Sequence, residues 1–206
     1  MNDHARRRSD FVRALGDAVA VIPAARHAQR NADSEYEFRQ NSDFYYLTGL
    51  KEPDAVLVLA PHRDQERAVL FLRPRDRTAE IWNGKRVGIE GAVADYGMDV
   101  AYPIEELEQR LPELLLGATT LYYGLGNDER LDRLVLDAVK DARFKVRRGG
   151  KAPLSFLEPG TLLHEMRLMK TPAELDIMRR AAAATRAGHE AGMRVTRPGR
   201  VQVEQS

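Results

Sequence analysis

Short apolar runs of strand type recur along this chain between stretches with the spacing of an amphipathic helix, and that alternation narrows the choice of fold most. Ala18-Val19-Ala20-Val21-Ile22, Ala55 to Ala60, Ala68 to Leu72, Val100-Ala101-Tyr102 and Thr119 to Tyr123 each read as a buried strand. Between and after them, Leu131, Leu134, Val135, Ala138, Val139 and Ala142 keep the i, i+3, i+4, i+7 rhythm, which predicts a helix over 129–143. Phe11, Val12 and Leu15, closed by Gly16, predict a shorter helix near the N-terminus. Strands and helices in alternation imply an α/β layer structure: a mixed sheet with helices on its faces. The pair 55–60 and 68–72, separated by Pro61-His62-Arg63-Asp64, predicts a hairpin.

Other segments yield more local expectations. Glu90 to Tyr96 has room for a helix of about two turns. Ile104, Leu107, Leu111, Leu114 and Leu115 form a helical stripe that Pro112 should kink or divide and Gly117 should end. Arg147-Arg148-Gly149-Gly150-Lys151 reads as a solvated loop, and the prolines between Pro153 and Gly160 as a linker. Thr171-Pro172-Ala173-Glu174 has the order of a capping box, predicting a long helix to about Arg194 that Arg197-Pro198-Gly199 stops.

Composition removes several functions. Lys plus Arg number 32 against 31 for Asp plus Glu, so no global field favours nucleic acid or an anionic membrane. With no cysteine there is no disulfide, thiolate zinc site or cysteine nucleophile, which fits a cytoplasmic setting. No apolar run has the length of a membrane span, and Asp10, Arg13 and Asp17 interrupt what would be the core of a signal peptide. Arg73-Pro74-Arg75-Asp76-Arg77 carries three arginines but no interleaved aromatic ring, so a solvated loop fits it better than a phosphate patch. Gly124-Leu125-Gly126-Asn127 lacks a third glycine and runs into Asp128-Glu129, which would repel phosphate; a strand-to-helix turn is expected. His164-Glu165 and His189-Glu190 each begin like a zinc-protease helix, but Leu168 and Met193 stand where the second histidine would be.

The segment from Asn31 to Gly49 crowds acids, amides, Arg39 and three tyrosines without period, predicting a loop pinned by its side chains ahead of the strand at 55–60. On residue chemistry it is either a recognition loop or a capped surface loop. Trp82, the sole tryptophan, lies beside Asn83-Gly84, a pair that favours a tight turn, where it could fill core or line a site.

Three motifs carry a resemblance. Tyr36-x-Phe38-Arg39-Gln40-Asn41-Ser42-Asp43-Phe44-x-Tyr46-Leu47-Thr48-Gly49 with Glu52-Pro53, then Glu80-Ile81-Trp82-Asn83-Gly84-x-Arg86-x-Gly88, resemble the N-terminal domain of Xaa-Pro aminopeptidases, the aminopeptidase P family. His164-Glu165-Met166-Arg167-Leu168-Met169-Lys170-Thr171-Pro172 is similar to the opening of that family's catalytic domain. The resemblance implies a mixed six-stranded sheet flanked by helices on both faces over 1–160. Residues 161–206 would be a linker and the first helix of a pita-bread catalytic domain. It further implies release of an N-terminal residue that precedes proline, two manganese ions held by ligands whose motifs would lie beyond Ser206, and a homo-oligomer. Trp82 would line the substrate cleft, its flat face suiting a prolyl ring. Asp33, Tyr36 and Arg86 would stand at the cleft or at a subunit boundary. Two functions follow as alternatives: the N-terminal portion of such a peptidase, inactive alone, or a non-catalytic assembly module that pairs with itself or with a full-length aminopeptidase.

Overall fold

The computed structural model describes residues 3–146 and 149–199. Their elements run α1 (Asp3–Leu15), β1 (Val19–Pro23), α2 (Ser42–Thr48), β2 (Val56–Leu59), β3 (Ala68–Leu72), α3 (Arg77–Asn83), α4 (Gly88–Ala94) and β4 (Val100–Pro103). A 3-10 turn over Ile104–Glu106 leads into α5 (Leu107–Leu114), then β5 (Thr120–Tyr122), α6 (Glu129–Lys145), β6 (Ser155–Leu157), α7 (Gly160–Leu168) and α8 (Pro172–Val195). The chain divides into two compact units, Met1–His164 and Glu165–Ser206.

In the first unit the strands form one six-stranded sheet in the order β4-β3-β2-β1-β5-β6. β2 is antiparallel to both β1 and β3, while β1 is parallel to β5, β5 to β6 and β3 to β4. Five strands therefore share a direction, and β2 alone opposes them. The expected hairpin forms with Val56 opposite Phe71 and Leu59 opposite Ala68.

The central strands β1, β2 and β3 are apolar on both sides because both sides are covered. Val19, Val21, Val56, Val58, Val69, Phe71 and Leu121 join Leu107, Leu111, Leu131, Val135 and Val139 of α5 and α6 in one continuous core. The alternate residues Ala20, Ile22, Leu57, Leu59, Leu70 and Leu72 are also buried, and by the two-residue period of a strand they face the other side. There α2 meets β1, α4 meets β3, and α1 packs on α2, burying Phe11, Phe44, Leu47 and Ala92. The expected mixed sheet with helices on both faces is the observed architecture.

Two expectations need correction, and of the two effects expected of Pro112 one drops out. The segment predicted as loop throughout contains α2, capped by Asn41 Oδ1, which accepts from the backbone N–H groups of Asp43 and Phe44, and ended by Gly49 at φ 74°. The segment read as linker contains β6, the outermost strand, paired from Thr120–Ser155 to Tyr122–Leu157. Pro112 does not divide its helix, since α5 continues through it to Leu114. The loop expected at 147–151 lies partly outside the described residues.

The second unit is dominated by α8. Its capping box is complete: Glu174 N donates to Thr171 Oγ1 at 3.2 Å, and Thr171 N to Glu174 Oε2 at 2.8 Å. Leu175, Ile177 and Met178 on this helix are exposed. Among the described residues no helix is long and apolar enough to cross a membrane.

Candidate functional site

The carboxyl ends of the co-directional strands gather the loops that hold the residues singled out in the sequence. The chain leaves β1 into residues 24–41, returns through 49–55 to start β2, and leaves β3 into the segment that forms α3. In open α/β sheets this edge is the usual place for ligand chemistry.

Residues 24–41 are held by their own side chains. Asn31 Oδ1 accepts from Asp33 N (3.1 Å), Ser34 N (3.0 Å) and Ser34 Oγ (2.9 Å), making the tight turn that presents Asp33. Glu35 pairs with His27 Nδ1 at 3.0 Å and accepts from Gln29 Nε2 at 3.1 Å. Tyr36 N donates to Ala28 O at 2.9 Å, and its ring is exposed. The expectation of a loop pinned by its side chains therefore holds for residues 31–41.

Gln40 closes the loop. Its Oε1 accepts from Ala25 N (2.7 Å) and Asn41 N (2.8 Å), and its Nε2 donates to Leu50 O (3.2 Å) and Glu52 O (2.7 Å). All four hydrogen-bonding positions of the amide are used. This fastens the exit from β1 to the approach to β2.

The second loop carries Trp82 on α3. Asp76 caps this helix, accepting from Thr78 N and Ala79 N at 2.9 and 3.2 Å. Arg75 grips Glu80 with two parallel hydrogen bonds, Nε to Oε1 at 2.9 Å and NH2 to Oε2 at 2.8 Å. That grip holds the Glu80 carboxyl down at about 2, helped by the Arg86 N–H and the charge of Lys85. Arg86 N also donates to Glu80 Oε1 (3.3 Å), and Arg86 NH1 to Pro74 O (3.2 Å). On this braced arm Trp82 is 85% exposed, with Ile81 at 77%. The largest ring in the chain therefore fills no core, and it is displayed at the end of an ordered element.

Of the four residues singled out in the sequence, Arg86 is tied back to the approach to β2, because the next residue, Val87, donates its N–H to Glu52 Oε1 at 2.6 Å. Asp33 and Tyr36 are held by a different set of bonds, those of residues 27–36. Gln40 and Glu52 drew no attention in the sequence as functional residues; both lie inside the matching motifs, but only the fold shows what they connect. Arg8 was also missed. Buried in α1, it donates to Leu47 O, Tyr96 O and Gly97 O at 2.8–2.9 Å, and burial lowers its pKa against the opposing charge of Asp99. Its place three residues before Phe11 puts it on the buried side of that helix.

At the same edge a cavity of about 390 Å³ is lined by Arg26, Asp54, Arg73, Asp128 and Leu131, among others. Two ion pairs lie in its lining, Arg26 to Asp128 at 3.0 Å and Arg73 to Asp54 at 3.9 Å.

No metal cage can be built from these parts. Among the described residues no group of three or more His, Cys, Asp or Glu converges. Of the acids between Asp33 and Asp43, Glu35 pairs as above and Asp43 meets His164 Nε2 at 3.3 Å. The dimetal centre that the resemblance implies does not fit the side chains described.

The aminopeptidase P N-terminal domain family matches residues 4–122. The Xaa-Pro aminopeptidase of Escherichia coli (strain K12) is 41% identical over 196 residues, which cover 94% of this chain and 44% of that protein. Xaa-Pro aminopeptidase 3 of Homo sapiens is 31% identical over 175 residues, covering 82% of this chain and 33% of that protein. Among solved structures, Pseudomonas aeruginosa aminopeptidase PepP aligns with a TM-score of 0.91 at 40% identity over 98% of this chain and 46% of its own. Zinc-substituted Escherichia coli aminopeptidase P in complex with product aligns with a TM-score of 0.90, also at 40% identity, over 98% and 47%. The chain thus spans less than half the length of the curated relatives it matches. Since the domain match takes in more than half of its 206 residues, including β1 to β5 and the two loops described, this chain belongs to the aminopeptidase P family through its N-terminal domain.

Proposed function

We propose that this chain serves a metal-dependent Xaa-Pro aminopeptidase, an enzyme that releases an N-terminal residue preceding proline, as its N-terminal portion. Residues 1–160 are the domain that narrows the cleft, and 161–206 the linker and first helix of a pita-bread catalytic domain. Two manganese ions would supply the activated water in such an enzyme; their ligands are not among the side chains described. This chain's own part is selection and exclusion. A bond to proline resists general peptidases because the prolyl nitrogen donates no hydrogen bond and its ring fixes the backbone. A site for it must therefore recognise the ring by shape.

The observation that carries this reading is Trp82, 85% exposed on an arm braced by Arg75, Asp76 and Glu80. A rigid aromatic face held out at the carboxyl edge suits stacking on a prolyl ring and displacing water from it. Asp33, Tyr36 and Arg86 complete the rim, at the cleft or where a second copy meets it in a homo-oligomer. The substrates are peptides with proline in second position, in a cytoplasmic setting.

The test is kinetic. In the peptidase that carries this domain, Trp82→Ala should raise KM for Xaa-Pro peptides about 10-fold, the loss of roughly 1.4 kcal/mol of ring contact. Trp82→Phe should restore most of it. Unchanged KM and kcat in both variants would remove Trp82 from the cleft.

A further inference from the structure

Glu52 is a half-buried acid whose two oxygens have unlike surroundings. Oε1 accepts the Val87 N–H at 2.6 Å, across 35 residues of sequence, whereas Oε2 is buried without a hydrogen-bond partner. A side chain retained for packing alone would not bring a carboxylate to such a place, since the second oxygen gives up water and gains no donor. What the carboxylate provides is a strong, charge-assisted acceptor for one particular N–H.

That N–H belongs to a junction. Val87 is the N-cap position of α4, and no side chain of its own caps this helix. It directly follows Arg86, whose N–H is held by Glu80, so the segment after Trp82 is gripped by one acid from α3 and by a second from the approach to β2. Gly88 leaves it at φ 66°, where any Cβ would collide with the stem of Arg75. Glu52 is anchored at its other end, because its backbone oxygen accepts from Gln40 Nε2 at 2.7 Å. A continuous path therefore runs from Gln40 through Glu52 to Val87, joining the loop that carries Tyr36 to the arm that carries Trp82.

We propose that Glu52 is a positioning residue for Trp82, the strut that fixes the angle of the Trp82 arm against the Gln40 loop. Its effect on catalysis rests on the reading of Trp82 as a wall of the cleft; the mechanical coupling does not.

Trp82 is the only tryptophan, so its fluorescence reports the arm without interference. In the 206-residue chain, Glu52→Ala should speed amide exchange at Val87 about 10-fold and lower the fluorescence anisotropy of Trp82, with the far-ultraviolet circular dichroism unchanged. Glu52→Gln retains an acceptor and should stay within about 3-fold of the parent at Val87. In the peptidase, Glu52→Ala should raise KM for Xaa-Pro peptides in the same direction as Trp82→Ala while leaving kcat within about 2-fold, a loss of uniform binding. The proposal is overturned if Glu52→Ala moves neither Val87 exchange nor anisotropy, if Gln disturbs both as much as Ala, or if Glu52→Ala abolishes the sheet. The two readings fail separately. Coupling with kinetically silent Trp82 variants would refute the cleft assignment and leave the strut standing, and a Trp82-dependent KM with no coupling would do the reverse.

Discussion

Arg75 and Glu80 meet through paired hydrogen bonds of 2.9 and 2.8 Å, and this clasp makes the Trp82 arm sensitive to acid. The Glu80 carboxyl is depressed from 4.5 to about 2, first by the hydrogen bonds from Arg75. A depressed carboxylate contributes its stability fully above 4.5 and loses it as pH falls through about 2. Trp82 emission should accordingly report loosening of α3 only in that acid window, and Arg75→Gln should move the midpoint upward toward 4.5. A midpoint unmoved by Arg75→Gln would show that another group governs the arm. At this scale the sequence displayed the Trp82 motif but left its environment open, because an isolated Ile81-Trp82 doublet has no repeat from which to assign a face. The fold answers with 85% exposure of the ring.

Helix α2 shows what short elements conceal. Its seven residues are fewer than a periodicity argument needs, and three of them are aromatic, so the segment was legible only through its ends: Asn41 before it and Gly49 after it. Those ends set its position. Asn41→Ala leaves two backbone N–H groups without their acceptor and should cost about 1 kcal/mol, lowering the midpoint of thermal unfolding by roughly 2–4 °C. A shift within error would mean that Phe44 and Leu47 hold the helix without its cap. β6 stayed unread for a similar reason, being a three-residue edge strand between Pro153 and Gly160, where punctuation outweighs pattern. The capping box at Thr171 was plain, since all its determinants lie within four residues.

For the whole molecule, the alternation of apolar runs and helical stripes revealed the layers, and the pairing of β2 with β3 followed from their short connection. The order β4-β3-β2-β1-β5-β6 was not legible, because β1 lies between β2 and β5, a strand about 100 residues further along, and no local pattern encodes that neighbour. The layers meet at residues such as Leu121, fully buried between β1, β6 and the helices α5 and α6. Leu121→Ala should cost about 2–5 kcal/mol, read as a lower urea midpoint with an unchanged slope. A loss below about 1 kcal/mol would show that the sheet can close around the missing volume.

Because β2 alone runs against the other strands, the β2–β3 turn opens at the end of the sheet opposite Trp82 and Gln40. Asp64 and Gln65 at its tip are exposed. A dye, an affinity tag or an immobilising tether inserted between these two residues would sit a full strand length from Trp82 and Gln40, which makes this turn the natural handle for the molecule.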